Sequence, residues 1–202
     1  MPKRTVKPFR YEAATENKRL SPALERRLRK LALDRAPTQV AEWRNAVSDT
    51  DRFYAAPSAS MAAYMLGEQD LARQLADEAI ALAKTHRENW NYGNAIHYGH
   101  TVLGLLRLQD HEVERAVAEL RESGETTGSP QLNSFGPTMH LARELLRHGQ
   151  FDAVVLYFQQ CRSFWKMGTK WLSIWEKKVV RGAITPLQDA LLGRMSLVAE
   201  TQ

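Results

Sequence analysis

The sequence predicts an all-α fold of antiparallel helix hairpins stacked as a short array, an α-α superhelix. Three observations carry this expectation. From Ser21 onward apolar residues recur at helical spacing in segment after segment. The segments are joined by turns of three or four residues, which makes pairs of them αα-hairpins. Lining up the turns at Gly67, His111 and Gly149 shows the same grammar returning three times, at near but unequal intervals.

Residues 1–20 carry few apolar side chains and include Pro2 and Pro8, so they read as a flexible basic arm. Ser21 suits a cap and Pro22 the first helical position. Leu24, Leu28 and Leu31 then share one face, with Arg26, Arg27, Arg29 and Lys30 on the rest. Ala36-Pro37 is expected to break this helix, since the residue before proline disfavours helical backbone. A second short helix would follow with Val40, Trp43 and Val47 as its stripe. Ser48-Asp-Thr-Asp51 reads as a loop and a new cap.

Phe53–Leu66 forms the first arm of a hairpin, started or bent at Pro57, and Gly67-Glu-Gln-Asp70 turns it into Leu71–Lys84. Helix Asn89–Leu108 leads through Gln109-Asp-His111 into Glu112–Arg121. After an insertion, Ser123–Gly136, helix Pro137–Arg147 leads through His148-Gly-Gln150 into Phe151–Phe164. Helix Lys170–Arg181 ends at Gly182 as a C-terminal cap, and its face of Trp171, Ile174, Trp175 and Val179 suits the task of covering the last hairpin. One helical-repeat domain over residues 21–186 is expected, with 187–202 a short helix or tail.

These hairpins resemble the tetratricopeptide repeat family. Gly67-Glu-Gln-Asp-Leu-Ala72 followed by Ala76, Ala79-Ile80 and Leu82 is similar to that family's turn and second helix. Leu103-Gly104, Ala116 and Leu120 match in the second unit, and Gly149-Gln-Phe151 with Phe158 in the third. The pattern departs at His111, where the family favours Gly, and at Val154, where it favours Ala. The insertion Gly-Ser-Pro-Gln-Leu-Asn-Ser-Phe-Gly-Pro, residues 128–137, resembles a group of bacterial helical-repeat proteins to which no activity is attached. These resemblances imply a fold and a mode of binding, with the first helix of each pair lining a concave groove.

Composition bounds the function classes. In 202 residues, 44% hydrophobic and 25% charged side chains set aside disordered, collagen-like and disulfide-rich chains. The single cysteine, Cys161, and an N-terminus without an apolar core predict a reducing, cytoplasmic setting, and no apolar run is long enough to cross a membrane. The formal charge of +5 sits in the first fifty residues, which hold twelve Lys/Arg against six Asp/Glu. That asymmetry keeps open a nucleic-acid or anionic-surface role for the basic helix.

Candidate site residues follow from helical spacing. Asn91, Asn94, Tyr98 and Thr101 recur at i, i+3, i+7, i+10, so four hydrogen-bonding side chains share a face. The repeat resemblance aims Tyr64, Tyr98, Thr101, Arg143 and Arg147 at the groove, and the arginines would favour a peptide carrying an acidic group. In the insertion, Gln131, Asn133 and Ser134 lie between Pro130 and Pro137 and would close one end of it. His97 and His100, at i, i+3, could share a small ligand or metal, yet no further ligand stands at a recognisable spacing. Cys161 among Phe158, Phe164 and Trp165 reads as a core thiol. With no nucleophile, phosphate-cradling or metal motif, neither catalysis nor a cofactor is expected. The expected role is a protein- or peptide-binding scaffold or adaptor, whose partner and oligomeric state the residues leave open.

Overall fold

The computed structural model describes residues 22–182, within which the chain forms nine α-helices. They are α1 Pro22–Arg44, α2 Asp49–Leu66, α3 Gln69–Thr85, α4 Tyr92–Gln109, α5 Val113–Gly124, α6 Pro130–Phe135, α7 His140–Arg147, α8 Phe151–Phe164 and α9 Thr169–Val179. A short 3-10 turn, Lys166–Gly168, joins the last two. The expected arm 1–20, the Ser21 cap and the segment 187–202 lie outside the described residues.

The three hairpins α2–α3, α4–α5 and α7–α8 close through one and the same turn. In each, the backbone N–H five residues downstream reaches back across the helix end: Glu68 to Ala63, Glu112 to Arg107 and Gln150 to Leu145, at 2.9, 2.8 and 3.0 Å. An inner bond accompanies it, from Gly67 to Tyr64, His111 to Leu108 and Gly149 to Leu146. This Schellman arrangement places the residue after the helix in left-handed backbone. Gly67, His111 and Gly149 have φ of 80°, 60° and 75°. The recurrence read from the turns is therefore a recurrence of backbone geometry.

Helices pack on their sequence neighbours, and the first helices of successive pairs, α2, α4 and α7, also touch one another. Alanines permit the close approach of the first pair: Ala56, Ala59, Ala62, Ala63, Ala72, Ala76, Ala79 and Ala83 are all buried. Further along, larger side chains fill the gaps, among them Leu105, Leu120, Leu145, Tyr157 and Phe158. Met61 and Tyr64 of α2 border both regions of core. Trp165 and Trp175, the latter on α9, complete the apolar layer over α8, their ring centroids 6.2 Å apart.

Several expected boundaries shift. Helix α1 continues through Ala36-Pro37 instead of breaking. Buried Ala36 and Val40 pack in the core shared with α2 and α3, which outweighs the bond lost at an exposed proline. Because α1 ends at Arg44, Val47 leaves the expected stripe and is 94% exposed. Pro57 lies buried within α2, whose start is set instead by a capping box between Ser48 and Asp51. The insertion is not all loop: Ser129 accepts the Leu132 N–H as a cap, Pro130 occupies the first turn, and α6 follows. Helix α4 starts at Tyr92, three residues late, because the Asn89 side chain accepts the Asn91 N–H in a turn. Helix α7 starts at His140, and Pro137–Met139 lie outside any helix.

Candidate functional site

Two groups of polar side chains stand out, at opposite ends of α4. The first is a buried amide network at its N-terminal end. Asn91 donates to the Phe53 carbonyl at 3.0 Å, and Asn94 donates both to Asn91 Oδ1 at 2.8 Å and to Gln131 Oε1 at 3.2 Å. Ser129 donates to Asn94 Oδ1 at 2.7 Å while capping α6. Backbones meet here as well, since a Cβ on Gly93 would stand 2.1 Å from the Gly128 carbonyl oxygen. The insertion is thus fastened onto α4 by contacts that consume its polar groups.

One turn along α4, His97 is wholly buried. Its Nε2 accepts the Thr138 N–H at 3.0 Å, which requires that Nδ1 carry the proton and donate to the Ser123 carbonyl at 3.2 Å. Burial pushes its pKa down from 6.5 to about 4, with the Ser123 bond opposing and His100 adding to the effect, so the ring is neutral. His100 faces Glu119 instead, Nδ1 to Oε2 at 2.7 Å. Neither His97 nitrogen is left for a metal or ligand, and among the described residues no three His, Cys, Asp or Glu side chains are grouped to hold a metal ion.

The second group lines a shallow cleft of about 320 Å³ on the side where α2, α4 and α7 meet. Leu105 and Leu108 supply apolar surface; Tyr64, Gln109, His140, Glu144 and His148 supply the polar groups. Tyr64 presents its ring edge-on to His140, centroids 6.1 Å apart. Its hydroxyl pKa is raised, first by burial and then by the Glu144 carboxylate, so the phenol keeps its proton at neutral pH. Glu144 is ion-paired with Arg147, which offsets the only carboxylate in the cleft lining.

Of the nine residues expected at a groove, Tyr64 lines this cleft and Arg147 reaches it through Glu144. Arg143 lies half-buried on α7, outside the lining. Asn91, Asn94 and Thr101, expected to face the groove, are instead buried at 4%, 8% and 1% exposure, because α2 and the α6 insertion pack on α4 in addition to α3 and α5 and leave no free polar face there. Tyr98 is half-buried, edge-on to His97. Gln131 and Asn133 are exposed on α6, with Gln131 held by Asn94. The structure therefore joins Asn91, Asn94 and Gln131 in the first group, about 20 Å along α4 from the cleft at Leu108.

Sequence reasoning missed Leu105, Leu108, Gln109, His140, Glu144 and His148 as cleft residues. A signal existed for three of them, since His140, Glu144 and His148 recur at i, i+4, i+8. Among the C-terminal aromatics, Phe164, Trp165 and Trp175 are buried packing residues. Cys161 is wholly buried, and burial raises its thiol pKa.

The fold and this cleft define an all-α array of helix hairpins with an open, mixed-polarity surface on its first helices. Comparison with family models, with curated proteins and with solved structures finds no match. No described helix is long and apolar enough to cross a membrane.

Proposed function

We propose that this protein is a non-enzymatic scaffold of tetratricopeptide-like hairpins that holds an extended protein segment in the cleft between α2, α4 and α7, in the cytoplasm. The observation that carries the reading is the cleft's lining: apolar surface from Leu105 and Leu108, bordered by five polar side chains from three helices and the turn after α7. Extended segments bury alternate apolar side chains and need scattered hydrogen-bond partners for their backbone. Tyr64, as a protonated phenol, and Gln109 supply both donors and acceptors. The amide network supports the reading indirectly, because it spends its groups on fastening the insertion and leaves the cleft as the accessible polar surface.

A photo-crosslinker at position 109, used in the native host, tests this. The scaffold reading expects a reproducible cross-linked protein that is lost when Tyr64→Ala and His148→Glu are combined. It fails if no specific product forms, or if the variant yields the same product.

A second reading, binding to nucleic acid or an anionic surface, draws support from α1, where Arg26, Arg27, Arg29 and Lys30 are exposed along one helix. Such binding would weaken steeply with salt. A gel-shift series on the full chain and on a variant with these four changed to Gln decides it: no shift at low salt removes the reading.

A further inference from the structure

Helix α9 presents two apolar lines, and only one of them is fully covered. Leu172, Trp175 and Val179 are buried in the core shared with α8. Beside them run Met167, Trp171 and Ile174, of which Met167 is 53% exposed and the other two are half-buried. The end of α9 is equally specific. Gly182 has φ 73°, and its N–H donates to the Val179 carbonyl, three residues back, at 2.8 Å. Gly67, His111 and Gly149 make the same left-handed turn with the same bond, and at each of them the chain reverses and a second helix packs back on the first. Because α9 also packs on α8 as α4 packs on α3, it holds the place of a first helix in the array.

We propose that the second helix of this fourth hairpin is residues 186–198, docked on Met167, Trp171 and Ile174. These residues lie outside the described ones, and their sequence carries what the position requires. Thr185 suits an N-cap, Pro186 the first helical position and Gln188 the third, which completes a capping box. Leu187, Leu191, Met195 and Val198 follow at i, i+4, i+8, i+11 on one helical line. Three residues, 183–185, join that segment to Gly182, within the span of an αα-hairpin loop. A helix this short and interrupted by Gly193 is marginal by itself, so its apolar line needs a surface to stand against. The open line of α9 is the surface to which the turn delivers it, at the high effective concentration of a short tether. A second copy of the chain fits less well, since pairing α9 with itself would set Lys170 and Lys177, both exposed, against their own counterparts. The docked helix closes the apolar side of the array at a face that shares no residue with the cleft and does not depend on that reading.

Disulfide trapping on the full chain tests the proposal, with Ile174→Cys combined in turn with Leu187→Cys, Asp189→Cys and Leu191→Cys; Cys161 is buried and stays out of the reaction. Asp189 lies between the two leucines in sequence but on the opposite side of the helix. The expected result is an intrachain disulfide that forms at least roughly tenfold faster with the better of the two leucine positions than with position 189. In the unaltered chain, amide hydrogens across 188–198 should exchange at least roughly tenfold more slowly than in a free peptide of that sequence. The proposal is overturned if the three pairs trap alike, as a free tail gives, if none traps, if the disulfides link two chains, which puts a second copy on the face, or if those amides exchange at free-peptide rates.

Discussion

His97 and Thr138 stand 41 residues apart in sequence and meet at 3.0 Å, ring Nε2 accepting a backbone N–H. That bond anchors the segment leaving α6 to the middle of α4, and it exists only while the imidazole is neutral. The ring's other nitrogen faces the Ser123 carbonyl, and His100, the ionisable group that acts on it, is paired with Glu119.

The folded pKa of His97, about 4, lies below its unfolded value of 6.5. As pH falls, the unfolded chain therefore takes up this proton first. The stabilisation is fully present above pH 6.5 and drains away towards pH 4, by about 3 kcal/mol over that window at 1.36 kcal/mol per unit. Urea unfolding at pH 7, 6 and 5 should show a falling midpoint in the wild type and a flatter profile in His97→Gln. Equal slopes would mean that His97 titrates normally.

Gly136 has φ +81°, and a Cβ there would lie 2.5 Å from the Trp165 indole. Gly67 has φ +80° with open space around it. Gly67→Ala thus reports the backbone strain alone, about 1–2 kcal/mol. Gly136→Ala should cost about 1–3 kcal/mol more, because its ψ of 166° puts it in a backbone region open to glycine alone, unlike Gly67 at ψ 10°, and because the indole is buried and cannot retreat freely. The two variants compared by urea denaturation measure the difference, and similar losses would refute the packing argument.

His111 occupies in the second turn the left-handed position that glycine holds in the first and third. His111→Gly should stabilise the protein by about 0.5–1 kcal/mol, net of glycine's extra entropy in the unfolded chain, which raises Tm by about 2–4 °C. His111 is exposed, so no packing is lost. A lowered Tm in calorimetry would show that the imidazole makes a compensating contact.

Cys161 should be silent to thiol reagents in the native protein, since it is wholly buried and burial raises its pKa. One equivalent should react with Ellman's reagent in urea, along the same transition that circular dichroism follows. Rapid labelling without denaturant would show that α8 opens locally.

The hairpins were legible because their signals are local. Three turns carry the same backbone bonds, and Gly67 and Gly149 announce two of them. The third was found by spacing despite a histidine. The polar spacing on α4 was real but gave the wrong address. Period 3.6 shows that Asn91, Asn94 and Thr101 share a face with Tyr98, and cannot show whether that face meets water or another helix. Only the packing of α2 and of the α6 insertion on α4 settled it, turning a supposed groove into an internal network. The exposure of Trp90 left no trace in the sequence, whereas the buried Trp165 and Trp175 had helical spacing to mark them.

By itself, then, the amino-acid sequence determined the helices, the three turns and the pairing they enforce, since each follows from backbone propensities and side-chain period within a few residues. Tertiary structure decided the rest. It ran α1 through Pro37, buried the asparagines, fixed the tautomer of His97 and brought Tyr64, Leu108 and Glu144 together in one cleft. Those outcomes depend on which surfaces meet between residues distant in sequence, where burial outweighs the local preferences that the sequence displays.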